Sequence, residues 1–145
     1  MKERIINAPT LREFVETVRD AFAFLRPFGF SEVYPPSHRG DESFQVWFRA
    51  DQRFVIVKGE GHGTTATVML EHEDGLELPE IYMVPPEHRP QTRAERRKLP
   101  PGQLEQVREA ARRLEEYGAD FLAGDTRRFL ESARPLPPYK RSPAY

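Results

Sequence analysis

The chain has no cysteine, a single tryptophan and no long apolar run. Without cysteine there is no disulfide framework, no thiolate zinc site and no thiol nucleophile. A bilayer-spanning helix requires about 18 or more consecutive apolar residues, and none occurs. Met1 to Asn7 carry charges but lack the apolar stretch of about 7–15 residues that marks a secretory signal. A soluble, cytoplasmic protein without membrane contact is the expectation. Charge of one sign is also missing: 22 basic residues nearly match 23 acidic ones, and a net charge of −1 supplies no global field for nucleic acid or anionic lipid. Nucleic acid is therefore not an expected partner, and any such binding would have to be local.

Arginine and proline are what the chain has in abundance. Only Lys2, Lys58, Lys98 and Lys140 among the basic residues are lysines; the rest are arginines, which suit bidentate contacts to carboxylate or phosphate. The 14 prolines are about twice the usual ~5% usage, and they gather after residue 84. A chain of 145 residues fits one domain and can bury roughly 70% of the surface exposed when unfolded.

Thr10 and Glu13 form a T-x-x-E capping box. Leu11, Phe14, Val15, Val18, Phe22 and Leu25 then share one helical face, which predicts a helix over 10–26, stopped by Pro27 and Gly29. Phe30 to Tyr34 reads as a short edge strand before Pro35-Pro36. Phe44, Val46 and Phe48 alternate with Gln45, Trp47 and Arg49, which places the first set toward the helices. Phe54 to Val57 is apolar throughout, as in a central strand that touches something on both faces. In the fourth strand, Ala66, Val68, Leu70 and His72 form the better core face, and Asp74-Gly75 ends it.

Residues 76–84 receive no element because Pro79 interrupts them and no period is clean. Residues 85–101 form a long Pro/Arg-rich connection, inside which Thr92 and Glu95 could cap one turn. Pro101 then opens a helix whose inner face is Leu104, Val107, Ala111, Leu114, Tyr117 and Phe121; Glu105/Arg108, Glu109/Arg113 and Arg112/Glu116 pair outside. Gly124-Asp125 separates it from another helix, with Phe129 and Leu130 pointing inward. The expected fold is α+β: an antiparallel four-strand meander with an N-terminal helix and C-terminal helices on one face. Residues 1–133 make a single domain, and 134–145 an extended proline-rich tail.

Chemical motifs are sparse. His38, His62, His72 and His88 lack the short spacings of ready-made metal sites, so neither metal nor cofactor is expected. Gly59, Gly61 and Gly63 superficially suggest a phosphate cradle, but a strand follows them where a helix N-terminus is required. Glu71, Glu73 and Asp74 around His72 have the residue types of an acid/base cluster. No serine sits in a nucleophile elbow. The balance favours binding over catalysis, without fixing whether the protein is an enzyme.

Binding is expected on two surfaces. Trp47 and Arg49 occupy the sheet face away from the helices, beside Val55 or Val57 and Met69. Either the proline-rich tail covers that face or another chain docks there with these two as anchors. The segment from Arg89 to Lys98, with Arg93, Arg96 and Arg97, suits an acidic protein surface, since no aromatic rings interleave its charges for nucleic-acid stacking. His62, flanked by glycines, is a further candidate contact. Arg134-Pro135-Leu136-Pro137-Pro138-Tyr139-Lys140 resembles a polyproline II ligand of Src-homology-3 grooves, or a tail tied to its own domain or a neighbouring subunit.

Phe24-Leu25-Arg26-Pro27-Phe28-Gly29-Phe30 leading into a meander, with Leu114 to Asp125 closing a late helix, resembles small uncharacterised bacterial α+β proteins that look like immunity proteins of polymorphic toxin systems. The likeness is one of general pattern over 10–133 and carries no functional residue with it. It implies a non-enzymatic protein-binding module that occludes a toxin or other conflict-system protein. Two alternatives remain open: a dimeric, secretion-chaperone-like or scaffold subunit, and a small hydrolase or nucleic-acid-binding module.

Overall fold

A computed structural model describes residues 8–39, 44–60, 63–89 and 102–141. Thr10 begins the first helix as the sequence requires. Its hydroxyl accepts from the Glu13 amide, while the Glu13 carboxylate accepts from the Thr10 amide, so two orphan donors of the first turn are satisfied. The α-helix α1 spans Leu11–Ala21, shorter than the predicted 10–26. The chain tightens into a 3-10 helix over Ala23–Phe28, which carries Pro27, and ends at Gly29 in the left-handed conformation (φ 90°). Proline's missing N–H and its ring prevent the α-helical pattern from continuing to residue 27.

Six strands follow in strict sequence order: β1 (Ser31–Val33), β2 (Gln45–Ala50), β3 (Arg53–Glu60), β4 (Thr65–His72), β5 (Leu76–Pro79) and β6 (Arg134–Pro135), each antiparallel to its neighbour. The expected four-strand sheet is thus corrected to six. The undecided segment after Gly75 divides into β5, turned back by that glycine at φ 89° and ended by Pro79, and a 3-10 helix over Glu80–Met83. The tail contributes β6, whose Pro135 costs nothing at an outer edge, where no donor is needed.

The helices α2 (Gln103–Tyr117), α3 (Ala119–Leu122) and α4 (Arg127–Ser132) close the core. Phe14, Val18, Phe22 and Leu25 meet Val46, Phe48, Val55, Val57, Val68 and Leu70 from the sheet and Val107, Leu114, Phe121 and Phe129 from the later helices. The helix α2 starts at Gln103, with Gly102 at its cap; Pro101 lies outside the described residues. Two apolar residues expected inside are half-exposed, Leu11 at 45% and Leu130 at 50%. Each lies near the end of its helix.

Three polar groups are recruited into this core by specific partners. Arg53, on the helix side of β3, donates to the carbonyls of Phe121 (2.7 Å) and Leu122 (2.5 Å). Its positive charge thereby satisfies acceptors at the end of α3. Arg113, whose spacing pairs it with Glu109, reaches instead to buried Glu80. Gln103 donates to the Thr65 carbonyl (2.8 Å), and a Cβ at Gly59 would lie 2.6 Å from that same amide nitrogen. Gly59 is therefore a close-approach position within β3 and not part of a phosphate loop. Gly63 is a turn glycine (φ 89°), and Gly61 lies outside the described residues.

Candidate interaction surface

Strand register decides what shares the second sheet face. Trp47 opposes Ile56, which opposes Met69; Arg49 opposes Phe54, then Glu71, then Glu77, then Arg134. The neighbours of Trp47 are therefore Ile56 and Met69, whereas Val55 and Val57 point to the helices, a correction that follows from the two-residue period.

Trp47 is buried, with 2% of its surface exposed. A short 3-10 turn at Ser37–Arg39 crosses this face and lays the Arg39 guanidinium 4.7 Å from the indole centroid. The indole nitrogen donates to Gln45 (2.8 Å), whose amide donates in turn to the Arg39 carbonyl (2.6 Å), and Phe54 packs edge-on at 5.7 Å. A partner cannot reach the ring without displacing Arg39.

Below this turn, Glu71 and Glu77 face each other across β4 and β5, 3% and 1% exposed. Two adjacent buried carboxylates require cations. Arg39 binds Glu71 through both nitrogens, at 3.0 and 2.6 Å. Glu77 receives Lys140 at 2.8 Å and Arg134 at 3.0 Å, both from the C-terminal segment. That segment is a strap: β6 pairs with β5, the Leu136 amide donates to the Gly75 carbonyl (2.8 Å), and His38 Nε2 donates to the Lys140 carbonyl (3.1 Å). Strap and turn thus cover the face that the sequence left either to the tail or to another chain.

The rim carries the accessible chemistry. Arg49 remains 45% exposed; its guanidinium lies 5.2 Å over Phe54, donates to the Asp51 carbonyl (2.8 Å) and pairs with exposed Glu73 at 3.2 Å. Tyr34 is 95% exposed and Tyr139 75%. Tyr34 directly follows β1, and Tyr139 adjoins Lys140. His62, Arg93, Arg96 and Arg97 lie outside the described residues, as do Thr92 and Glu95.

The acid/base cluster imagined around His72 does not assemble. Glu71 turns inward to Arg39, Glu73 outward to Arg49, and His72 Nδ1 stands 3.2 Å from the Asp74 carboxylate at the β4–β5 turn. Among the described residues no three histidine, aspartate or glutamate side chains converge as metal ligands. A hollow of about 160 Å³ lies between the 3-10 helix and β1, lined by Phe22, Leu25, Phe30 and Phe48 with Arg19 and Glu32. That is below the roughly 300–1,000 Å³ of most small-molecule sites.

Perturbed carboxyls lie on the helix side. Burial pushes Glu80 upward against the opposing pull of Arg113. The Arg128 guanidinium beside Asp120, and that of Arg127 beside Asp125, lower those two acids, the latter to about 2. Each is paired with an arginine, as structural ion pairs are.

Sequence reasoning missed Glu77 and Arg39, and named Lys140 only as the basic end of the tail. One signal was present: Glu77 sits alone between Leu76 and Leu78, an acid inside a short apolar run, and therefore a candidate for burial with a cation. Comparison with protein-family models, with curated proteins and with solved structures gave no match.

Proposed function

We propose that the protein is a protein-binding module of the immunity-protein kind, acting in the cytoplasm, which occludes a toxin or another conflict-system protein with the β1 edge of its sheet. The observation that carries this reading is the exposure of Tyr34, 95% open to solvent at the end of the edge strand β1. A tyrosine ring gives a large contact area at low conformational cost, which is why such residues are enriched among binding hot spots. Arg49, on the strand paired with β1, adds an exposed cation that steers encounter more than it sets affinity. The place of the tryptophan anchor expected from the sequence is thus taken by tyrosine, since Trp47 is engaged beneath Arg39.

The test is affinity capture with the full chain from cells that naturally produce it, followed by measurement of the purified pair. Tyr34→Ala should weaken the complex at least about tenfold, as hot-spot truncations do, and Arg49→Glu should slow association. Leu130→Ala, on the helix side, should leave both unchanged. Recovery of no stoichiometric partner, or a complex indifferent to Tyr34, would overturn the reading.

A further inference from the structure

The strap is held by charge where the helix-covered face of the sheet is held mainly by apolar contact. Arg134, Pro135, Pro138, Tyr139 and Arg141 are exposed, and among the described residues of the strap Lys140 is the one buried side chain, at 8%. Two bridge pairs, one further backbone hydrogen bond to Gly75 and the cations on Glu77 account for its hold on β5. Its backbone is polyproline-like on either side of a short 3-10 turn, with φ/ψ of −62°/154° at Pro137 and −75°/155° at Arg141. The groove beneath it has a stringent demand: if the strap leaves, Glu77 loses both cations while Glu71, already committed to Arg39, stands directly opposite. Another cation in the strap's place would satisfy that carboxylate without exposing it.

We propose that the strap is an exchangeable ligand bound in cis, and that the groove of Glu77, Gly75 and His38 accepts in its place an extended, proline-containing basic segment of a protein partner. This rests on the protein-binding reading and deepens it by naming the chemistry of the segment recognised. The recognition elements are those the strap itself uses: a Lys or Arg on Glu77, a backbone amide on the Gly75 carbonyl, and a carbonyl on His38 Nε2. Because the strap is tethered, its effective concentration is on the order of millimolar, so a free segment competes poorly until the tether's own grip is weakened.

The experiment measures binding of a dye-labelled peptide, Ala-Arg-Pro-Leu-Pro-Pro-Tyr-Lys-Arg, to the full chain by fluorescence anisotropy. Lys140→Ala should bind it at least about tenfold more tightly than the wild type or Lys140→Arg, because the cis competitor is weakened. Adding Glu77→Gln to Lys140→Ala should abolish that gain. Circular dichroism of each variant should match the wild type. The proposal is overturned if natively folded Lys140→Ala binds no peptide, or binds it no better than the wild type. Loss of secondary structure in Lys140→Ala overturns it equally, since the strap would then be an integral part of the fold. Partner binding itself is tested separately by the Tyr34-dependent capture experiment, whose outcome none of these results alters.

Discussion

The two faces of the sheet are buried by different physics. On one, α1 and α2 press phenylalanine, valine and leucine side chains against Val55, Val57 and Leu70, and stability grows with apolar area at about 25 cal/mol per Å². On the other, a turn and a strap neutralise Glu71 and Glu77 with Arg39, Lys140 and Arg134. Desolvation there offsets much of the Coulomb attraction, so the charged face adds little net stability while strongly disfavouring any arrangement that leaves one charge unpaired. One face makes the fold stable; the other makes the placement of two segments specific.

The largest expected effect breaks the apolar side. Phe121→Ala, fully buried against Phe129 at 4.9 Å, should cost about 3–5 kcal/mol in urea unfolding. An effect under about 1 kcal/mol would mean that the core is not where stability resides. Arg39→Ala should come next, at about 3 kcal/mol, since it strands the Glu71 carboxylate in a buried site; a double-mutant cycle with Glu71→Gln should show most of that loss as coupling. If the single variant is as stable as the wild type, the charged face is solvated and the contrast fails. Thr10→Ala should cost about 1 kcal/mol by removing the capping box, a local effect with no bearing on the strap.

The smallest effect concerns the ion pair on the apolar side. Burial holds Glu80 above its usual 4.5 despite Arg113, so the folded state binds this proton more tightly than the unfolded state does. The resulting contribution is fully present below about pH 4.5 and is lost as pH rises through the higher folded value. Stability of the wild type relative to Glu80→Gln should therefore decline from about pH 4 upward, measured as paired denaturant midpoints. A difference that rises with pH would mean that Arg113 outweighs burial.

Local chemistry made part of this structure legible. Thr10 and Glu13 announced a helix start because capping depends on residues three apart, and Val46/Phe48 and Val68/Leu70 announced their core face through a two-residue period. The strands β5 and β6 were hidden because Pro79 and Pro135 argue against strands from composition alone, while their pairing is a matter of partners elsewhere in the chain. The same limit applied to the interaction surface. Trp47 was correctly placed on the face away from the helices, but its cover comes from Arg39, and the pairs that hold that cover join residues 32 and 63 positions apart. No spacing rule links an arginine in a turn to a glutamate three strands later. Arg49, by contrast, stays on the accessible rim, 45% exposed beside Phe54 and Glu73.

The order of the sheet also has a kinetic consequence. From β1 to β5 every strand pairs with the one next to it in sequence, so each closure spans a short loop and costs little entropy. The β6 strand departs from that pattern, joining residue 134 to residue 77 only after α2, α3 and α4 have intervened. Contacts of such long sequence separation form slowly. In refolding, the hairpins and the helical layer should assemble first, and the strap should dock as a late event with its own rate, set by how soon the chain carries Lys140 back to the acid that waits for it.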